Sequence, residues 1–191
     1  MKILGLDLAG SEKKNTGYCI IRNQKAEFGV VRTEKEIIEI VKKEAPDVIA
    51  IDAPLSLPKG RRSIEKRSDK HFRECDRMLM ERKIKFFPIT LGPMRMLTKR
   101  GMEMKKKIGR IDKKIKVIEV FPGAAYDVFG VKRKDKKEII RWAKKFGINA
   151  KKAKTQDELD AIACAITGLL YARGSCEELK GKDGTIVIPK I

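Results

Sequence analysis

Two short apolar runs, each carrying an aspartate at its end, constrain this chain more than any other feature. The first, K-I-L-G-L-D-L (residues 2–8), breaks at Ala9-Gly10-Ser11, and the second, D-V-I-A-I-D-A (47–53), meets Pro54 and Pro58. Runs of this length, rich in Ile, Leu and Val and bounded by Gly or Pro, read as buried strands. Between them, 18–22 and 27–31 are further strand candidates, separated by Asn23-Gln24-Lys25, which reads as a hairpin turn. Three antiparallel strands thus open the chain. Thr33 is a good N-cap for a helix over 34–44, where Ile37, Ile38, Ile40 and Val41 recur at helical spacing, and Pro46 stops it. A strand reached through such a crossover lies parallel to an earlier one, inside the sheet.

The remainder continues the α/β alternation. Residues 59–113, dense in Lys, Arg and Met, are the least regular part, with helices expected near 63–83 and 93–107 around the Phe86-Phe87-Pro88 and Leu91-Gly92-Pro93 breaks. This segment is read as a helical insertion in a single domain spanning 1–191. A strand follows over 116–121, then Pro122-Gly123, a helix over 134–146 around Trp142, and a long helix over 156–173 capped by Thr155. Leu159, Ile162, Ala163, Ile166, Leu169 and Leu170 give that last helix a broad core-facing stripe. Residues 184–191 read as a terminal strand.

Carboxylates recur where packing does not ask for them. Asp7, Asp52 and Glu119 stand toward the ends of three strands, and Asp157 and Asp160, three apart, project from one face of the last helix. Each has a plain alternative: Asp157 complements the helix dipole, Asp52 caps the turn at Ala53-Pro54, and Glu119 pairs with a lysine. Asp160 is harder to dismiss, since it lies on or beside the core-facing stripe. Anions converging on one place raise one another's pKa unless a cation lies between them. All-oxygen ligation suits Mg²⁺ or Mn²⁺, and two such ions about 3.5–4 Å apart could activate a water and stabilise a leaving oxygen. The single histidine, His71, sits in the basic segment and is read as a surface residue, so Ser-His-Asp and Cys-His chemistry are disfavoured.

With 45 Lys+Arg against 26 Asp+Glu, the net charge of +19 attracts polyanions and favours a nucleic acid partner. A charged fraction of 37% also fits the ion-paired surface of a heat-stable protein, and the composition leaves both readings open. Arg61, Arg62, Lys66, Arg67, Arg73, Arg77, Arg95, Lys99 and Arg100, interleaved with Phe72, Phe86 and Phe87, would suit phosphate contact with occasional base stacking. Of these, Arg73, Arg77, Arg95, Lys99 and Arg100 are the candidate substrate-binding residues, although Asp76 beside Arg73 and Arg77 could equally be an internal ion-pair partner. Cys19, Cys75, Cys164 and Cys176 form no C-x-x-C pair, so no zinc knuckle is expected. The N-terminus reads as a strand and not a signal peptide, and no apolar stretch approaches the roughly 20 residues of a membrane span, so a cytoplasmic protein is expected.

In order, G-L-D-L-A-G (5–10), I-A-I-D-A-P (49–54), F-R-E-C-D-R (72–77), V-I-E-V-F-P (117–122) and D-E-L-D-A-I-A-C-A (157–165) resemble the predicted nuclease family catalogued as domain of unknown function 429. The resemblance spans nearly the whole chain. It implies a ribonuclease-H-like fold, with a mixed sheet of three antiparallel and then parallel strands flanked by helices. The D-x-x-D-A helix is also similar to the last helix of Holliday-junction resolvases. The resemblance implies Asp7 as the central metal ligand, Asp52 as the acid of the later strand, Asp157 with Asp160 as the helix acids, and Glu119 as an additional ligand. Asp52 stands where resolvases usually have glutamate, so its reach is shorter. The resolvase likeness would add a homodimer, since those enzymes cut two strands symmetrically, but no interface signature is visible.

The leading expectation is therefore a divalent-metal-dependent nuclease. Two rivals stand beside it. A non-catalytic nucleic-acid-binding module would keep the fold and charge and bind without metal. A phosphotransferase or phosphohydrolase of the actin-like type would use D-L-A-G-S (7–11) as a phosphate loop for a small phosphorylated ligand. The length opposes the last, because those enzymes clamp nucleotide between two such domains unless a dimer completes the site.

Overall fold

The structure, a computed structural model, describes residues 1–23 and 25–190. Gln24 of the expected hairpin turn and Ile191 of the expected last strand lie outside the described residues. Five strands form one mixed sheet: β1 (Lys2–Asp7), β2 (Thr16–Arg22), β3 (Lys25–Val31), β4 (Val48–Asp52) and β5 (Lys116–Glu119). Their order is β3-β2-β1-β4-β5. The first three pair antiparallel, whereas β4 runs parallel to β1 and β5 parallel to β4. This is the mixed sheet that the sequence implies. The parallel β1/β4 pair follows from the crossover through α1 (Glu34–Glu44), whose Thr33 and Glu36 form a capping box and whose Ala45 ends it at φ 43° before Pro46.

The period-two alternation of the strands divides two cores. Leu4, Leu6, Ile20, Ile49 and Ile51 face one side and pack on Ile37 and Val41 of α1 and on Met104 and Ile108 of α3 (Gly92–Ile111). Ile3, Cys19, Ile21, Val48, Ala50 and Ile118 face the other, against α4 (Pro122–Val128), α5 (Lys136–Lys145) and α6 (Gln156–Ala172). Full burial of one such aliphatic side chain contributes about 1.5–3 kcal/mol. A third cluster joins Cys75 and Leu79 of α2 (Glu74–Glu81) to Leu179, Ile186 and Ile188 of a separate hairpin, β6 (Cys176–Gly181) and β7 (Gly184–Pro189).

Helix α6 lies unusually close to the sheet. A Cβ on Gly5 of β1 would come within 2.3 Å of the Ala165 nitrogen and 2.4 Å of the Ala161 oxygen, and one on Gly17 of β2 within 1.9 Å of the Asp157 oxygen. From the helix side, a Cβ on Gly168 would meet Ile3 Cγ2 at 2.7 Å and Ala50 Cβ at 3.2 Å. At each of the three positions the nearest approach is closer than packed atoms tolerate, so glycine there sets the separation of the layers.

Three local expectations need correction. Of the helix expected near 63–83 only Glu74–Glu81 forms. Upstream, the Arg61 guanidinium donates to the carbonyls of Ser63, Ile64, Lys66 and Lys70 at 2.8–3.0 Å and organises the loop around itself. Second, Pro122-Gly123 does not merely break the chain after β5. Pro122 opens α4, where proline at the first helical positions gives up a hydrogen bond that is unmade there anyway. Third, β6 went unassigned because C-E-E-L-K-G buries only Leu179 and otherwise reads as charged loop.

Gly5→Ala should therefore cost about 3 kcal/mol or more through overpacking against helix backbone, lowering Tm by roughly 6–12 °C in a protein of this size. Differential scanning calorimetry checks this, and an unchanged Tm would contradict the close contact.

Candidate metal centre

The sheet register brings the two strand-end aspartates together. Asp7 of β1 and Asp52 of β4 are Cα partners on hydrogen-bonded neighbouring strands, which stand about 4.8 Å apart. Both share the parity of Ile3, Gly5, Val48 and Ala50, the face that α6 covers. Across the other edge of β1, Asp7 pairs with Gly17, and the Asp157 carbonyl lies directly over Gly17. The first turn of α6 is thereby seated on the ends of β1 and β2. A capping box fixes that turn: Thr155 Oγ1 accepts from the Glu158 N–H at 3.2 Å, and Glu158 Oε2 accepts from the Thr155 and Lys154 N–H groups at 2.8 and 2.6 Å. One turn on, Asp160 Oδ1 accepts from the Tyr126 hydroxyl and the Gln156 amide, each at 2.8 Å.

Electrostatics agree with this placement. Asp7 is held well above the usual carboxylate range by burial first and then by the charges of Asp52, Asp160 and Asp157. Asp52 is raised by burial, Asp160 and Glu119. Asp160 is pushed up to about 6, chiefly by burial and against the pull of its Tyr126 and Gln156 hydrogen bonds. Asp157 is raised by burial and by Glu158. The thiol of Cys164, buried beneath the group, is raised by burial and then by Asp52, Asp7 and Asp160. Among the described residues no three His, Cys, Asp or Glu side chains already stand grouped to hold an ion. Mutual repulsion, and the diversion of Asp160 toward Tyr126, oppose a tighter cluster of bare carboxylates. The donor chemistry nevertheless fits a hard divalent cation: every donor is a carboxylate oxygen, and the excess negative charge is partly buried.

Glu119 sits in a different arrangement. Its two oxygens accept from Arg73 Nη2 at 2.6 Å and Nη1 at 2.7 Å, and Oε2 also accepts from the Leu55 N–H at 2.8 Å. Arg73 turns its remaining donors to both oxygens of Asp76 at 2.7 and 3.1 Å and to Ser56 Oγ at 3.1 Å. Arg73, Asp76 and Glu119 are only 1%, 2% and 7% exposed. Arg73 is thus committed to a buried ion-pair network and does not present itself to solvent, contrary to its expected contact with phosphate. Arg100 is likewise buried, donating to the carbonyls of Ala9 and Arg32 at 2.7 and 2.8 Å, so it braces the loop after β1. Arg77, Arg95 and Lys99 are exposed, the last two turned toward Glu65. His71 is exposed and hydrogen-bonded to Thr90.

The structure adds residues that sequence reasoning passed over. Asp7 and Asp157 form the acidic wall of an open cleft of about 410 Å³ whose other lining includes Lys13, Lys14, Asn15 and Arg32. The turn after D-L-A-G-S is the sequence signal for it. Tyr126 is the other omission, because α4 went unassigned.

A family model described as "Protein of unknown function (DUF429)" matches residues 5–185. The structure of T. thermophilus RuvC in complex with a Holliday junction substrate is similar at a TM-score of 0.54 and 13% identity, covering 97% of this chain and 99% of that one. The Thermus thermophilus RuvC structure gives a TM-score of 0.51 at 14% identity, with coverage of 97% and 99%. At these identities the likeness is one of fold. No curated protein matches the sequence.

Two outcomes are expected from the electrostatics. An unfolded aspartate titrates near 3.9, so one raised in the folded state stabilises below that pH and loses its contribution as pH rises through its folded value. In EDTA, Asp7→Asn should match the parent near pH 4 and exceed it increasingly toward pH 8, by about 2–4 °C of Tm per kcal/mol relieved. Equal melting at pH 8 would contradict the repulsion. Arg73→Ala should instead cost about 3–5 kcal/mol by leaving two buried carboxylates unpaired, and Arg73→Lys should not restore the loss, lacking the bidentate fork. Chemical denaturation measures both, and a near-neutral Arg73→Ala would remove the network from the core.

Proposed function

This chain belongs to the family described as "Protein of unknown function (DUF429)", and we propose that it is a divalent-metal-dependent nuclease that hydrolyses phosphodiester bonds in nucleic acid. The observation that carries this reading is the convergence of Asp7 and Asp52, register partners on adjacent strands, with the first two turns of α6, which bear Asp157 and Asp160. Asp7, Asp52, Asp157 and Asp160 would hold Mg²⁺ or Mn²⁺. When bound, such an ion supplies Lewis acidity, lowering the pKa of an attacking water and neutralising charge on the phosphate.

The chain's own groups do the rest. Lys13, Lys14 and Arg32 line the cleft beside Asp7 and would seat the phosphate backbone over the acids, a requirement because bare carboxylates repel it. Tyr126 and Gln156 orient Asp160 through its Oδ1. The exposed Arg77, Arg95 and Lys99, on a segment (59–113) that we read as an insertion, extend the positive surface. Glu119 is left out of the ligand set because Arg73 neutralises it. The similarity to a RuvC solved with a Holliday junction substrate supports nucleic acid as the polymer and makes a homodimer worth testing.

Cleavage of labelled single-stranded, duplex, hybrid and four-way-junction substrates in Mg²⁺, Mn²⁺ or EDTA tests the proposal. Metal-dependent cutting is expected, with at least a hundred-fold loss in Asp7→Asn on the order of other removed electrostatic contacts. Binding without cutting in every metal would leave a non-catalytic module, and neither binding nor cutting would point to a small phosphorylated ligand.

A further inference from the structure

The acids lie between two unlike cavities. Asp7 and Asp157 face the basic cleft, whereas Asp52 lines a second cavity of about 260 Å³, near the small end of ligand sites. One wall is aromatic, formed by Phe86, Phe87 and Phe121; the polar lining is Asp52, the mutually paired Arg73, Asp76 and Glu119, and the cations Lys85 and Arg133. Arg133 stands 5.2 Å over the Phe121 ring and is held there by Asp127 and by the Lys85 carbonyl at 2.9 Å. Phe87 is 67% exposed although it lines the cavity, an unusual position for a phenylalanine in a chain with so few aromatics. A large apolar ring held in water on the lip of an aromatic cavity marks a surface that a planar partner would cover.

We propose that this cavity takes one unpaired nucleobase of the substrate strand, stacked on Phe87 beside Phe86 and Phe121, while the adjoining phosphates lie across the carboxylates. The inference rests on the nuclease reading and deepens it by naming the substrate class: single-stranded or locally unpaired nucleic acid over a fully paired duplex. Charge complementarity selects this occupant. A nucleotide offers a flat apolar ring to the phenylalanines and an anion to the exposed Lys85, on a protein with a net charge of +19, whereas Arg133 is already engaged by Asp127. A base still held in a duplex could not enter, since the ring must leave the stack first.

The test is fluorescence anisotropy in EDTA, so that no strand is cut, with a labelled single-stranded oligonucleotide and a series carrying one abasic site moved along it. Abasic replacement at one position, or at two adjacent ones, should weaken binding by about five-fold or more, the loss of a single stack. Phe87→Ala, a change at an exposed position that leaves the core untouched, should weaken the intact strand similarly and erase the dependence on abasic position. Arg77→Ala, on the exposed face of α2, should weaken all strands alike. A flat abasic profile, or a profile that survives Phe87→Ala, overturns the pocket. If metal-dependent cleavage is nonetheless seen, the nuclease reading stands without it. A base-dependent profile with no cleavage in Mg²⁺ or Mn²⁺ keeps the pocket and removes the nuclease. Absence of binding to every oligonucleotide both in EDTA and in Ca²⁺, together with absence of cleavage in Mg²⁺ or Mn²⁺, overturns both.

Discussion

The contact between α6 and the sheet through Gly5, Gly17 and Gly168 governs the arrangement of everything else. With ordinary side chains at those positions the helix would ride higher, and its first turn would be lifted from the strand ends. At Gly5 and Gly17 the contact is with helix backbone, so rotamer adjustment cannot absorb an error in it. Ala161 and Ala165 complete the fit from the helix side, and both are fully buried. The small residues therefore act on the site without touching a ligand: they hold Asp157 and Asp160 at the level of Asp7 and Asp52. Stability and site geometry are set by the same interface, which ties damage at one to damage at the other.

Two acidic groups lie in the same layer and are treated in opposite ways. Glu119 and Asp76 are deeply buried and share Arg73, whose fork satisfies both. A buried ion pair of this kind is weak evidence for net stability, because desolvation offsets much of the attraction. Its effect is to fix the end of β5 to α2 and, through Asp183 accepting from the Glu74 and Lys59 N–H groups, to the β6/β7 hairpin. Asp7 and Asp52, a strand or two away, have no such guanidinium among the described residues; burial favours protonation of both, reinforced at Asp7 by Asp52, Asp160 and Asp157 and at Asp52 by Asp160 and Glu119. The fold can neutralise buried carboxylates internally and does so at one place. At the neighbouring place the charge is left for something else to balance, and that contrast is what separates a candidate site from ordinary structural polarity.

Most of the sheet was legible in the sequence, for a physical reason: its strands are continuous apolar runs bounded by Gly, Pro or Asp, and α1 and α6 carry complete capping boxes. The acidic residues were legible because carboxylates at the ends of such runs violate the pattern around them. What escaped was information that depends on tertiary partners. Arg73 and Arg100 look like surface cations in sequence, and only the fold reveals that the carbonyls and carboxylates awaiting them are buried. Composition tolerates a helix from about residue 63, whereas the Arg61 side chain satisfying four carbonyls there is invisible to periodicity. Strand β6 was hidden by exposure of both its faces except at Leu179. Gly5, Gly17 and Gly168 give no periodicity signal of their own, and their packing role is visible only with α6 seated on the sheet.

The charge of the chain can be weighed more finely once positions are known. Lys99 with Glu65, Lys107 with Glu34 and Arg82 with Glu177 are surface ion pairs whose attraction is screened by water, and they fit a heat-stable surface. With 45 basic and 26 acidic side chains, such pairing cannot consume the excess. It also does not explain why Lys13, Lys14 and Arg32 line the same cleft as Asp7 and Asp157. If surface pairing were the only use of that basicity, these cations would neutralise the aspartates directly, yet among the described residues none of them forms an ion pair with Asp7 or Asp157, and burial with the neighbouring carboxylates holds Asp7 above the usual range. Cations near enough to line the cleft but not to quench its acids suit a ligand that is itself anionic and is drawn between the two, as a phosphodiester held over a metal would be.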